Sequence, residues 1–294
     1  MARHQSVKSL VTTRGRRFAY RFVAGDDVQD ALRAIDALEK EGIHGILDVL
    51  GEMASSPEEV EAFTKQILGQ IEAFGTRSYN RYVSIKLTQI GLDIDFDHML
   101  DSARQIARSA RAKDCFVRID MEDSPRVQPT IDTFRTLREE GFENVGIVLQ
   151  SHLRRTDDDL KALLKLSPNV RIVKGAYKEP PSEAFQDKAS VDASYRALVR
   201  RNLKAGNRTA IATHDERIIG EMQAWIAREG IDTNLVEYQL LYGIRRDLQR
   251  KLAAEGHGVR AYVPFGTSWY PYFSRRIAER PENALFVAKA MLKG

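Results

Sequence analysis

The chain has 294 residues, 43% of them hydrophobic and 29% charged, with 45 Lys and Arg against 41 Asp and Glu. That mixture supplies enough apolar surface for a large core and excludes intrinsic disorder over most of the length. A formal charge of +4 is too mild to imply nucleic acid, and the single cysteine, Cys115, excludes an internal disulfide and cysteine-rich metal sites while fitting a reducing cytoplasm.

In chain order the first feature is a basic arm, residues 1–26. Arg3, Lys8, Arg14, Arg16, Arg17 and Arg21 precede the first acid, Asp26, with Val7, Leu10, Val11, Phe18, Tyr20 and Phe22 between them. Two readings stand side by side: an amphipathic arm for an anionic membrane surface, or a solvated start packed on a larger domain. No stretch approaches the ~20 apolar residues of a membrane helix, and the start lacks the apolar core of a signal peptide.

Residues 27–294 read as one domain. Eight apolar, β-branched runs recur: 45–50, 82–87, 116–120, 145–150, 170–174, 209–213, 234–238 and 259–263. Helical spacing fills the gaps, as in Ala31–Leu32–Ile35–Leu38 before Gly42, Val60–Phe63–Ile67–Ile71, Phe134–Leu137 before Gly141, Met222–Trp225–Ile226 before Gly230, and Leu248–Leu252 before Gly256. Strand and helix alternating eight times is the count of a (β/α)8 TIM-type barrel, which runs near 250 residues as one unit. A doubly wound sheet would carry a GxGxxG turn after its first strand. The near match at 256–261 follows a helix and precedes a strand, the wrong order. P-loop, HExxH and GxSxG motifs are missing.

Barrel chemistry sits at the C-terminal ends of the strands. Those ends carry Asp48 and Glu52; Lys86; Asp120, Met121 and Glu122; Gln150 and His152; Arg171, Lys174, Gly175, Ala176 and Tyr177; Thr213, His214 and Asp215; Leu241; and Tyr262. A buried strand rarely holds a lysine or aspartate without a partner. Structural ion pairs, Lys86 with Asp120 for instance, would explain any one residue. They explain less well a polar group at the same end of nearly every strand. Lys86, Arg171, Lys174, Arg275 and Arg276 suit anions, and five cations suggest two anionic ligands, such as a cofactor pyrophosphate and an acidic substrate.

The helix after Tyr262 puts Arg275, Arg276 and Glu279 on one side, beside Trp269, Tyr270, Tyr272 and Phe273. Aromatics around an arginine pair suit a small apolar ring bearing a carboxylate. Asp93, Asp95 and Asp97 have the spacing that opens a calcium loop, but His98 and Arg104 stand where glycine and glutamate are needed, so they read as a helix start. Asp157, Asp158 and Asp159 sit at another helix start. His214 reads as a hydrogen-bonding partner.

These segments resemble proline dehydrogenase, in its short, single-activity bacterial form. The resemblance rests on Leu-Asp-Val-Leu-Gly-Glu52, Ser-Ile-Lys86-Leu-Thr-Gln, Arg-Ile-Asp120-Met-Glu-Asp, Val-Gly-Ile-Val-Leu-Gln150, Arg171-Ile-Val-Lys174-Gly-Ala-Tyr177, Ala-Thr213-His214, Glu-Tyr-Gln-Leu-Leu241-Tyr-Gly, Tyr262-Val-Pro-Phe-Gly and Arg275-Arg276-Ile-Ala-Glu279, in family order from about residue 20 onward. It implies a distorted (β/α)8 barrel with the last helix over the mouth. The aldehyde dehydrogenase module and DNA-binding segment of the family's long members are not expected in 294 residues.

The resemblance further implies non-covalent FAD, L-proline as substrate, Δ1-pyrroline-5-carboxylate as product, and a membrane quinone as electron acceptor. Asp120 and Arg171 would be catalytic, Arg171 beside the flavin N5. Lys86, Arg275 and Arg276 would hold the proline carboxylate, with Asp120 paired to Lys86. Leu241, Tyr262 and Tyr177 would pack on the ring. Met121, Gln150, Arg171, Lys174, Gly175, Ala176, Thr213 and His214 would line the FAD, and Glu52 with Arg275 would gate the entrance. Lys178 departs from the pattern, since many members have an aromatic there. The expected location is cytoplasmic, with the basic arm suited to the inner membrane face. Two alternatives stay open: a Schiff-base aldolase or transaldolase using Lys86 or Lys174, and a ligand-binding barrel without catalysis.

Overall fold

A computed structural model describes residues 19–51, 53–75 and 77–278, with side chains described through residue 274. Eight parallel strands close into a barrel in sequence order. They are β1 (His44–Val49), β2 (Arg81–Ile85), β3 (Cys115–Ile119), β4 (Val145–Gln150), β5 (Val170–Val173), β6 (Thr209–Ala212), β7 (Val236–Leu241) and β8 (Val259–Phe265). The barrel closes where β1 pairs β8 from His44↔Arg260 to Val49↔Phe265.

Helices α1 (Val28–Glu39), α2 (Pro57–Ala73), α3 (Phe96–Ala112), α4 (Ser124–Glu139), α5 (Thr156–Leu163), α6 (Lys188–Lys204), α7 (Glu216–Glu229), α8 (Arg246–Ala254) and α9 (Trp269–Ala278) alternate with the strands. Several begin on side-chain caps: Asp27, Ser56, Asp95 and Asp187 each accept from the backbone N–H three residues on. Asp95 thus serves as the helix start that its spacing predicts.

Pleating divides each strand between two environments. Leu47, Val83, Ile85, Val117, Ile119, Ile147, Ile172, Ile211, Leu240, Ala261 and Val263 join the helices in one large apolar core. The intervening residues meet inside the barrel, and here the filling is charged. Side chains of non-adjacent strands touch across it: Lys86 with Tyr262, Tyr262 with Asp120, Asp120 with Arg171, and Arg171 with Gln239. Deeper in, Arg260 pairs with Glu237 and lies 3.7 Å above the Tyr82 ring.

The seventh strand departs from expectation. Thr233–Leu235 forms a 3₁₀ turn, fixed by Asp232 accepting from the Asn234 N–H, and the strand then runs on to Leu241. The run expected at 234–238 is thus displaced toward the C-terminus, and Glu237 and Gln239 both face the polar barrel interior.

A second, smaller apolar cluster caps one side of the mouth. Ala19, Phe22 and Val23 pack with Leu50, Ile244, Trp269, Tyr272 and Phe273, and Leu241 lies against them. Two backbone bonds, Ala24 N–H to Pro264 and Gly266 N–H to Gly25, tie this segment to the end of β8.

Candidate active site

Side chains from β1, β8 and the residue after β3 meet Lys86 at the end of β2. Its Nζ donates to Asp48 Oδ1 at 2.6 Å and to the Tyr262 hydroxyl at 3.3 Å, and lies 3.5 Å from Asp120 Oδ2. Asp120 accepts from Tyr262 Oη at 2.7 Å, Ser84 Oγ at 2.8 Å and Arg171 Nη1 at 2.8 Å. Arg171 is 5% exposed, donates from Nε to Gln239 Oε1 at 2.6 Å, and sits over the Tyr262 ring at 5.2 Å. Its third nitrogen, Nη2, is buried without a hydrogen-bond partner among the described residues.

Burial acts against every charge in this group, and the outcome differs by position. Asp48 is pushed above its ordinary value by burial, with Lys86 opposing and Asp120 adding to the shift. Burial would raise Asp120 too, but Lys86 and Arg171 together hold it below the usual carboxylate range. Burial works against the Lys86 ammonium, and the two carboxylates more than restore it. The Tyr262 hydroxyl is driven well up by burial and by Asp120 and Asp48. The geometry thus sets two basic side chains, Lys86 and Arg171, against two carboxyl groups, Asp48 and Asp120.

The rim is built from the neighbouring strand ends. Gln150 donates to the Glu122 carbonyl at 2.7 Å, next to buried Met121. Lys174 Nζ sits 2.7 Å from Asp192 and 3.2 Å from Asp215. Gly175 has φ +111°, and a Cβ there would come within 1.4 Å of His152 Nδ1, so only glycine fits this turn. Ala176, Tyr177 and Lys178 are exposed beyond it. Thr213 Oγ1 accepts from the Asp215 N–H, and His214 Nε2 accepts from the Leu241 N–H at 3.0 Å, the bonding role expected for that histidine.

Lys86, Asp120, Arg171 and Tyr262 are thus brought into one contact network, with Gln150, Lys174, Gly175, Thr213, His214 and Leu241 around it. The expected Lys86–Asp120 pair is present at 3.5 Å, and Asp48 is a second, shorter partner of Lys86 at 2.6 Å. Glu52 and the side chains of Arg275 and Arg276 lie outside the described residues, and with them the expected gate and most of the expected clamp.

Three participants were given no role by the sequence reading. Asp48 was named only as a polar group at the end of the run 45–50. Gln239 stood in the seventh segment with no function attached. Asp192 lies on α6, where nothing in the local pattern points at Lys174. The barrel also opens at its other end, where a cavity of about 510 Å³ is lined by residues including Tyr82, Arg118, Asn169, Glu237 and His257. The candidate site is nevertheless at the strands' C-terminal ends, because the converging charges and the free Arg171 nitrogen are there.

Comparison with known proteins decides what this arrangement belongs to. A family model described as proline dehydrogenase matches residues 31–289. The chain belongs to the proline dehydrogenase family. It is 48% identical to a proline dehydrogenase of Deinococcus radiodurans over 298 residues, covering 100% of this chain and 96% of the relative. It is 42% identical to proline dehydrogenase 1 of Bacillus subtilis over 275 residues, covering 94% and 91%. A crystal structure of proline utilization A from Bdellovibrio bacteriovorus, inactivated by N-propargylglycine, superposes with a TM-score of 0.83 at 23% identity. That match covers 93% of this chain and 33% of the other, and establishes the shared barrel.

Membership makes the protein an enzyme of the single-activity proline dehydrogenase kind, and sets aside a barrel that only binds. The Schiff-base alternative fails on geometry as well. A lysine forming an imine must be a neutral amine, whereas Lys86 is an ammonium clamped by carboxylates and Lys174 is paired with two.

Proposed function

We propose that the protein oxidises L-proline to Δ1-pyrroline-5-carboxylate with non-covalently bound FAD, as the first step of proline catabolism. The observation that carries this reading is Arg171: Gln239 and Asp120 immobilise two of its nitrogens and leave Nη2 without a hydrogen-bond partner among the described residues. A buried guanidinium with one idle donor is suited to a ligand that gains negative charge. FAD, when bound, would supply the acceptor for a hydride from proline C5, at N5, and a route for the electrons to a quinone.

The chain's own residues fit that group. Arg171, Gln150, Met121, Lys174, Gly175, Ala176, Thr213 and His214 would hold the flavin nucleotide, the tight turn at Gly175 leaving backbone rather than side chain at its surface. Lys86 with Arg275 and Arg276 would bind the substrate carboxylate, while Tyr262, Leu241 and Tyr177 press on the ring and exclude water. Asp120 orders the centre by fixing Tyr262 and Arg171 together. Glu52 and Arg275 would close the entrance. Residues 27–294 act as one catalytic unit in this reading, located in the cytoplasm, and the basic arm of residues 1–26 favours contact with the inner membrane face, where the quinone is. Among the described residues, no helix is long and apolar enough to cross a membrane.

Anaerobic addition of L-proline to the purified yellow protein should bleach the visible flavin absorbance, and acid should then release all the colour into the supernatant. A spectrum unmoved by proline would defeat the activity, and colour retained in the precipitate would defeat the non-covalent assignment.

A further inference from the structure

We propose that Asp48 is a positioning residue that aims the Lys86 ammonium at the substrate carboxylate. The inference rests on the reading of Lys86 as part of the carboxylate clamp and adds the group that sets it. Asp48 is 1% exposed and lies in register with Ser84 on β2 and Pro264 on β8, so its place is fixed by backbone pairing on both sides. It holds Lys86 Nζ at 2.6 Å, while the Tyr262 hydroxyl takes a second proton at 3.3 Å. An ammonium has three donors, so one remains for a ligand at the mouth.

The competing position for Lys86 is Asp120. Its nearer oxygen is only 3.5 Å away, within ion-pair range but making no hydrogen bond with Lys86, because Asp120 is already engaged by Tyr262, Ser84 and Arg171. Without the Asp48 charge, Lys86 would close on Asp120, compete with Arg171 and Tyr262 for it, and turn away from the mouth. Positioning and simple charge predict opposite signs. Deleting a carboxylate next to an anion site should strengthen anion binding if charge alone mattered, and should weaken it if the carboxylate aims the cation.

The test compares wild type, Asp48→Asn and Asp48→Glu, each loaded with flavin. Asparagine keeps the size and an acceptor oxygen but loses the charge; glutamate keeps the charge and misplaces it by one methylene. Both should raise KM for proline by about 10-fold or more with a smaller change in kcat, since a charge-assisted contact is lost from binding. Calorimetry with a saturated five-membered ring carboxylate lacking the amine should show the same loss of affinity. Tighter or unchanged binding in Asp48→Asn would overturn the proposal. So would an Asp48→Asn protein that does not fold beside an Asp48→Glu protein with normal KM, which would make Asp48 a structural charge only. Failure of the wild type itself to oxidise proline would strike the functional reading and is seen separately, in the first column of the comparison.

Discussion

Arg171 is held by three different kinds of contact: a carboxylate at Nη1, an amide at Nε and an aromatic face below the plane. Each alone would leave the guanidinium free to pivot, and together they fix the direction of Nη2. Gln239→Leu removes the amide while preserving the bulk, so it should orphan a buried donor and loosen that direction. The expected outcome is a fall in kcat/KM for proline of about 10- to 100-fold, read by steady-state kinetics at full flavin loading. An unchanged value would show that Asp120 suffices to hold Arg171. At this scale the sequence was informative wherever a charge stood inside an apolar run, as with Lys86, Asp120 and Arg171. It offered Asp120 as a partner for Lys86, which lies 3.5 Å away, and did not offer Asp48. Asp48 and Asp120 are equally plausible partners for Lys86 in one dimension, and only the closure of the barrel puts Asp48 nearer.

Among elements, the segment from Ala19 to Gly25 shows how the mouth is braced. It packs on α9 and on the turn after β7, with Phe22 and Phe273 rings 6.2 Å apart. Gly243 makes this approach possible: its φ is +73°, and a Cβ would sit 1.6 Å from the Arg21 carbonyl oxygen. Gly243→Ala combines a disfavoured backbone conformation with that collision. It should cost about 1–3 kcal/mol of stability and lower Tm by several degrees in a thermal melt, at about 2–4 °C per kcal/mol for a domain of roughly this size. A melt matching wild type would mean that the segment undocks without consequence to the barrel. Strands and helices were mostly legible because their apolar periods are strong. The bounds of β7 were less so, because Asn234 and Leu235, read as strand, belong to a 3₁₀ turn and the strand runs from Val236 to Leu241.

The whole molecule has an acid limit that follows from its interior. Burial opposes ionisation of Asp120 and Glu237, but Lys86 and Arg171 for the first and Arg260 for the second pull both below the ordinary carboxylate value. Asp192 and Asp215 are lowered likewise against burial by Lys174. A carboxylate with a depressed folded-state pKa stabilises the fold at pH above its unfolded value of about 4 and loses that contribution as pH falls through the folded value. Asp48 and Glu122 work in the opposite direction, since burial raises both, but they are two groups against four. Denaturant midpoints should therefore stay level from neutrality to about pH 5 and fall steeply below about pH 4. A midpoint already falling between neutrality and pH 5 would mean that these pairs do not govern acid stability. The barrel itself was readable from the count and order of its runs, and that reading agrees with the family match and the superposed barrel. The contents of its interior were not, since a filling of four cations, Lys86, Arg118, Arg171 and Arg260, against three carboxylates, Asp48, Asp120 and Glu237, is set by which strand faces turn inward.

The division of the strands between an aliphatic face and an inward one, ionic on several of them, also governs how such a sequence can change with time. Toward the helices, one branched residue can replace another of similar volume, and each exchange is judged alone. Inside the barrel the same liberty is missing. Altering Glu237 strands Arg260 and loosens Gln239, and altering Gln239 reaches Arg171 and through it Asp120. Acceptable steps there must arrive as matched pairs. Descendants of this chain should thus drift residue by residue on the outer face and stand still, or move in concert, along the axis.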